Sequence, residues 1–135
     1  MKENLLTTLE NSRTYTMQVA ESMPAEAYSF KPMGAAWEYR ELLHHLAYGI
    51  QWWEDNYVKG KKTDWNPAPA KGKKKEIMDS IQNAYDSLRE TVMDSKESQH
   101  LFAGFHATLD HITHHRGQAT IYLRCKGITP PEYTY

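Results

Sequence analysis

Apolar residues recur three and four positions apart through four separate stretches of this chain, and nowhere do they alternate with period two for long enough to make a strand. That spacing restricts the chain to helices packed on one another. In the first stretch, Leu5, Leu6, Leu9, Thr16, Val19, Ala20 and Met23 form a stripe with polar residues between them. This helix should end before Pro24. The second runs from Trp37 to about Tyr57, with Leu42, Leu46, Ile50 and Trp53 on its buried side. Ile77, Ile81, Ala84, Tyr85, Leu88 and Val92 mark the third. The fourth extends from about Leu101 or Ala103 through Arg124 and stops at Gly127, with Pro130 and Pro131 beyond. Glycine after the last turn and proline soon after are the expected stop signals.

The connections set the topology. Pro24 to Ala36 is too punctuated for regular structure. Its Tyr28, Phe30 and Met33 are expected to tuck against the end of the bundle, because that much apolar surface is rarely left in water. Lys59 to Gly72 is a loop of about fourteen residues. At up to about 3.3 Å per residue it can reach back along a twenty-residue helix, about 30 Å long, so the third helix is free to run parallel to the second. Trp65 is the residue placed to anchor that crossover, and Asp94 to about Gln99 makes the last turn. The expected fold is all-α: a four-helix bundle with a long crossover connection between the second and third helices, one domain over residues 1–135.

A formal charge of -1 and a pI near 6.6 give no electrostatic case for nucleic acid or an anionic membrane. The lysines that cluster, Lys59, Lys61 and Lys62 with Lys71 and Lys73 to Lys75, flank the Pro-rich stretch and read as solvated linker ends. Four Trp and nine Tyr read as core and loop anchors, since no basic groove accompanies them for base stacking. No run of about 18 apolar residues exists to span a membrane. Met1-Lys2-Glu3-Asn4 leads directly into an amphipathic pattern, so no signal peptide is expected. The single cysteine, Cys125, excludes an internal disulfide and fits a reducing compartment. The expected location is cytoplasmic.

The chemistry concentrates in histidine. His111 and His115 are four residues apart, which on a helix puts both imidazoles on one face, a ligand spacing for a divalent metal. A third nitrogen is available from the upstream pair His44-His45. At about 100° per residue, His45 lies at the edge of the buried arc of the second helix and His44 nearly opposite it. His45 is therefore the residue that looks into the bundle. Gly49, one turn on, leaves space above its imidazole. On the fourth helix Gly104, Thr108, His111, His115, Gln118 and Tyr122 share a line, and the small residues preceding the histidines leave room for a pocket. His106, Asp110 and His114 fall on an outward line. Seven histidines in 135 residues make such a spacing easy to reach by accident, and buried histidines satisfied by hydrogen bonds are the alternative.

Three neutral imidazoles leave a coordination position open for water or substrate. Gln118 is one turn past His115 and can hydrogen-bond a bound ligand or serve as a packing amide. Glu41 precedes His45 by one turn and can orient an imidazole or stay a solvated carboxylate. Tyr122 can line the pocket or belong to the core. Arg116 points away from the histidine line, and Cys125 lies off it. No Gly-rich phosphate loop, Ser-His-Asp order or HExxH pattern is present. With no acid near the histidine line apart from Glu41 or Glu38, thiol transfer is more natural than acid-base hydrolysis.

The words around these residues carry a resemblance. His111-Ile-Thr-His-His115-Arg116-Gly117-Gln118, then Tyr122-Leu123-Arg124 and Gly127-Ile128-Thr129-Pro130-Pro131, resembles the last helix of the DinB/YfiT-like superfamily. So does Tyr28-Ser-Phe30-Lys-Pro32, followed by Trp37 and Leu43-His44-His45-Leu46, in the same order over nearly the whole chain. The resemblance implies a divalent metal, zinc or nickel foremost and manganese or iron after them, held by His45, His111 and His115. It also implies homodimers, and a thiol S-transferase-like enzyme taking a low-molecular-weight thiol and a small-molecule substrate. A hydrolase using the same metal, or a non-catalytic metal-binding stress-response protein, is the alternative.

Overall fold

The computed structural model describes residues 1–134. Four helices carry the fold: α1 (Lys2–Ser22), α2 (Tyr39–Trp53), α3 (Lys74–Asp94) and α4 (Gln99–Cys125). A short 3-10 turn, Ala25–Ala27, follows α1, and a π turn, Glu54–Val58, extends α2. No strand occurs among the described residues. The molecule is the four-helix bundle that the apolar spacing requires.

Local chemistry fixes the helix ends. The Ser98 hydroxyl accepts from the Leu101 N–H at 3.0 Å and caps α4. Glu38 and Glu41 form a capping box at the start of α2. At the other end of α4, Gly127 takes φ +79°. The Ile128 N–H then reaches the Leu123 carbonyl at 2.9 Å, and the Gly127 N–H reaches that of Arg124 at 3.0 Å. This double closure needs a left-handed residue, which glycine supplies without strain.

Side-chain bonds give the helix directions. Ser12 and Thr16 of α1 meet Tyr85 of α3 at 2.8 Å, and Lys74 reaches back to the Glu21 carbonyl, so α1 and α3 are antiparallel. The start of α2 lies at the end of α1, where the Tyr39 hydroxyl donates to the Val19 carbonyl. The end of α2 lies beside the late part of α3, where Glu54 accepts from Ser87 and Thr91. Helices α2 and α3 therefore run parallel.

The crossover at residues 59–73 achieves this by running back along the outside of α2. The Thr63 carbonyl accepts from Trp52, the Asn66 N–H donates to the Tyr48 hydroxyl, and the Ala68 carbonyl bonds His44 Nε2 at 2.8 Å. Each contact lies further back along α2 than the last. Trp65 anchors the crossover, with its ring 4.7 Å from Tyr48 and 5.5 Å from Trp52.

Leu9, Val19, Leu43, Leu46, Ile50, Ile81, Leu88, Phe105 and Ile112 are inaccessible and form the core. Tyr28 is buried and Phe30 packs against the core, but Met33 is fully exposed. It sits beside Gly34 at φ +82°, in a turn that holds it off the bundle end. Trp53 is half-buried rather than core, because it lies at the α2–π junction against Tyr57, with the rings stacked at 4.4 Å. Glu54 takes the inward position, and its buried carboxylate is held by two hydroxyls and by Lys59 at 3.4 Å.

Candidate metal centre

Antiparallel packing of α2 on α4 brings His45, His111 and His115 together, with one ring nitrogen of each within 4.8 Å of the others. These three could hold a metal ion. His115 is buried, and the other two are half-buried. His45 Nε2 and His115 Nε2 face one another at 2.9 Å. His115 Nδ1 lies 2.9 Å from Gln118 Oε1. Since that oxygen only accepts, Nδ1 carries the proton and Nε2 presents its lone pair to the cluster.

His111 Nδ1 is buried without a hydrogen-bond partner among the described residues. A buried polar atom left this way costs on the order of 1–3 kcal/mol, so something other than protein is expected to satisfy this group of nitrogens.

The electrostatics agree. Burial, reinforced by the neighbouring imidazoles, pushes His45 and His111 down to about 4. Burial also holds His115 below its ordinary value, although the Gln118 contact works in the opposite direction. All three are neutral near pH 7, which is the form a metal ligand requires. The donor set fits a divalent ion.

Gly49 makes the cluster possible in a different way from that expected. A Cβ at this position would lie 2.2 Å from His111 Cε1 and 2.7 Å from its Nδ1. The space it leaves is filled by the ring arriving from α4, and is not a void above His45. Gly104 is likewise no part of a pocket. Its missing Cβ admits the Tyr57 backbone, and Thr108 is buried with its hydroxyl on the Gly104 carbonyl.

The open space lies further along α4. A cleft of about 560 Å³ is bounded by His115, Gln118, Tyr122 and the Met33–Trp37 loop. A second, of about 350 Å³, lies between His45, Glu41 and the crossover. Trp37 borders both, its ring 4.6 Å from that of His45. Trp65 covers His45 from the other side at 5.1 Å, and Trp53 lies 5.6 Å from His111. The aromatic walls were not legible as such. Trp37, expected at the start of the second helix, lies just before α2, and Trp65 stands in the crossover, where no period assigns a face.

The remaining candidates separate by contact. Gln118 touches His115 directly. Glu41 Oε1 accepts from the Glu38 N–H at 3.0 Å and borders the smaller cleft, while Tyr122 donates to the Trp37 carbonyl at 2.7 Å, tying the loop before α2 to α4. His44 faces outward onto the crossover, and His106, Asp110 and His114 are exposed. Arg116 is buried on the far side of α4 against α1. Cys125 is exposed and shares the larger cleft with His115.

No helix among the described residues is long and apolar enough to cross a membrane. A search of curated proteins finds no match to the chain. A family model described as the DinB family matches residues 1–106, taking in His45 and the start of α4 and stopping before His111 and His115. With that match over most of its length and the helical bundle it folds into, the chain belongs to the DinB family.

Proposed function

We propose that His45, His111 and His115 hold one divalent metal ion, zinc or nickel, and that the protein is a metal-dependent enzyme acting on a small molecule in the manner of a thiol S-transferase. The observation that carries this is the set of three neutral imidazoles from two helices, one with an orphaned buried nitrogen, beside two clefts. An ion on three histidines keeps an open position at which a water or a thiol becomes acidic near neutral pH.

The chain's own residues supply the rest. Gln118 fixes the tautomer and the ring orientation of His115. The Tyr122 hydroxyl holds the backbone at Trp37, so the indole stays over His45 and keeps the two clefts apart. Trp65 and Trp53 pack their rings beside His45 and His111. Glu41 is engaged at the α2 N-terminus, which leaves no free acid on the histidine line and favours transfer over hydrolysis.

The same reading places residues 1–135 in one cytoplasmic domain, in keeping with the lone thiol, and makes the protein a homodimer, with exposed Ile121 and Met33 as the apolar surface that pairing would cover.

The test is thiol consumption with a model electrophile, such as monobromobimane with cysteine, by protein stripped of metal and reloaded. Turnover that requires the ion supports the enzyme. Stoichiometric metal without turnover for any thiol supports a non-catalytic metal-binding protein instead. Gln118→Leu should weaken metal binding by about 10- to 100-fold, read by competition with a chelator, and leave the melting temperature of the metal-free protein nearly unchanged.

A further inference from the structure

Arg116 poses a separate problem on the opposite side of α4. It is 4 % exposed. The hydrogen bonds it makes to described residues leave from Nη1 and are long: 3.2 Å to Thr16 Oγ1, 3.3 Å to Ser12 Oγ and 3.4 Å to the Ser12 carbonyl. Tyr15 and Tyr133 offer ring faces 4.8 and 5.8 Å from Cζ. None of these is a negative charge. The nearby Arg13 is neutralised by Asp86 and Glu10, but no described carboxylate pairs with Arg116. Tyr85, whose phenol burial pushes above its usual range, stays neutral and adds no counter-charge. A buried guanidinium without an anion is costly, since the desolvation of the charge is not repaid.

The guanidinium borders a cleft of about 90 Å³, walled by Thr8, Ser12, Leu109, Thr113 and Tyr133. That is the space of about three waters at roughly 30 Å³ each, enough for an anion of a few heavy atoms. Arg116 is the one cation among the lining residues, so a single negative charge balances the site. A planar two-oxygen acceptor matches the guanidinium fork, and Leu109 with the Tyr133 ring gives an apolar wall for its short carbon body.

We propose that the Arg116 cleft is a binding site for a small carboxylate. It is independent of the histidine cluster and ties α4 to α1.

The experiment follows thermal unfolding of the metal-free protein against sodium acetate, with sodium chloride matching ionic strength. A saturable rise in midpoint on the order of 3 °C with acetate alone is expected. Thr113→Glu places a tethered carboxylate beside Arg116 from an exposed position. It should melt higher than Thr113→Gln and lose the acetate response, which Thr113→Gln keeps. Acetate and chloride acting alike, or Thr113→Glu melting no higher than Thr113→Gln, overturns the proposal.

Discussion

Alanine at His111 or at His115 should reduce bound metal from one ion per chain to none that survives dialysis, while alanine at His114 leaves it unchanged. The contrast separates the cluster from its sequence neighbours. His114 lies between the two on the chain but is exposed, whereas His111 and His115 present their rings to His45 at 5.3 and 4.3 Å between centroids. Removing one of three ligands leaves two nitrogens and an opened cavity, which costs more than the 10- to 100-fold expected for losing an outer contact. The same measurement divides His45 from His44. His45→Ala should lose the ion. His44→Ala should keep it while freeing the crossover, since His44 Nε2 bonds the Ala68 carbonyl. Elemental analysis after reloading with zinc, nickel or manganese decides the matter. Wild-type protein that takes up no stoichiometric metal would sink the metal reading altogether.

Much of this was legible because a helix has one period. Stripes at three and four fixed the helices to within a few residues, and the same angular arithmetic set His45 inside and His44 outside. Loop length allowed the parallel pairing of α2 and α3 without requiring it. What the sequence could not convey is the meaning of a missing side chain. Glycine on a helix face reads as empty space, yet at Gly49 an imidazole occupies it and at Gly104 a backbone does. Nor did the period reveal the π turn at Glu54–Val58, at whose start Glu54 is buried and Trp53 is only half-buried. Aromatic residues in loops carry no face at all, so Trp65 could be called an anchor but not a wall of the cluster, and Trp37, expected to open the second helix, lies before α2.

The glycines yield the largest stability effect. In Gly104→Ala the new Cβ would lie 2.1 Å from the Tyr57 carbonyl oxygen and 2.7 Å from its carbon. The obstacle is main chain, which cannot rotate aside as a side chain can. Either α4 moves off the end of α2, or the π turn unwinds and exposes Glu54 with its bonds to Ser87 and Thr91. Either response should cost about 3 kcal/mol, a fall in melting temperature of roughly 10 °C for a chain of this size. Gly49→Ala meets only the His111 ring, so it should lose metal affinity and far less stability. At Gly117 an added Cβ meets nothing within 4 Å on the exposed face of the helix, so Gly117→Ala should stabilise by about 0.5–1 kcal/mol. Thermal unfolding of the three metal-free variants tests this order. If Gly104→Ala melts within a degree or two of wild type, then α4 does not pack backbone to backbone on the π turn, and the register that brings His111 and His115 to His45 loses its support at that end.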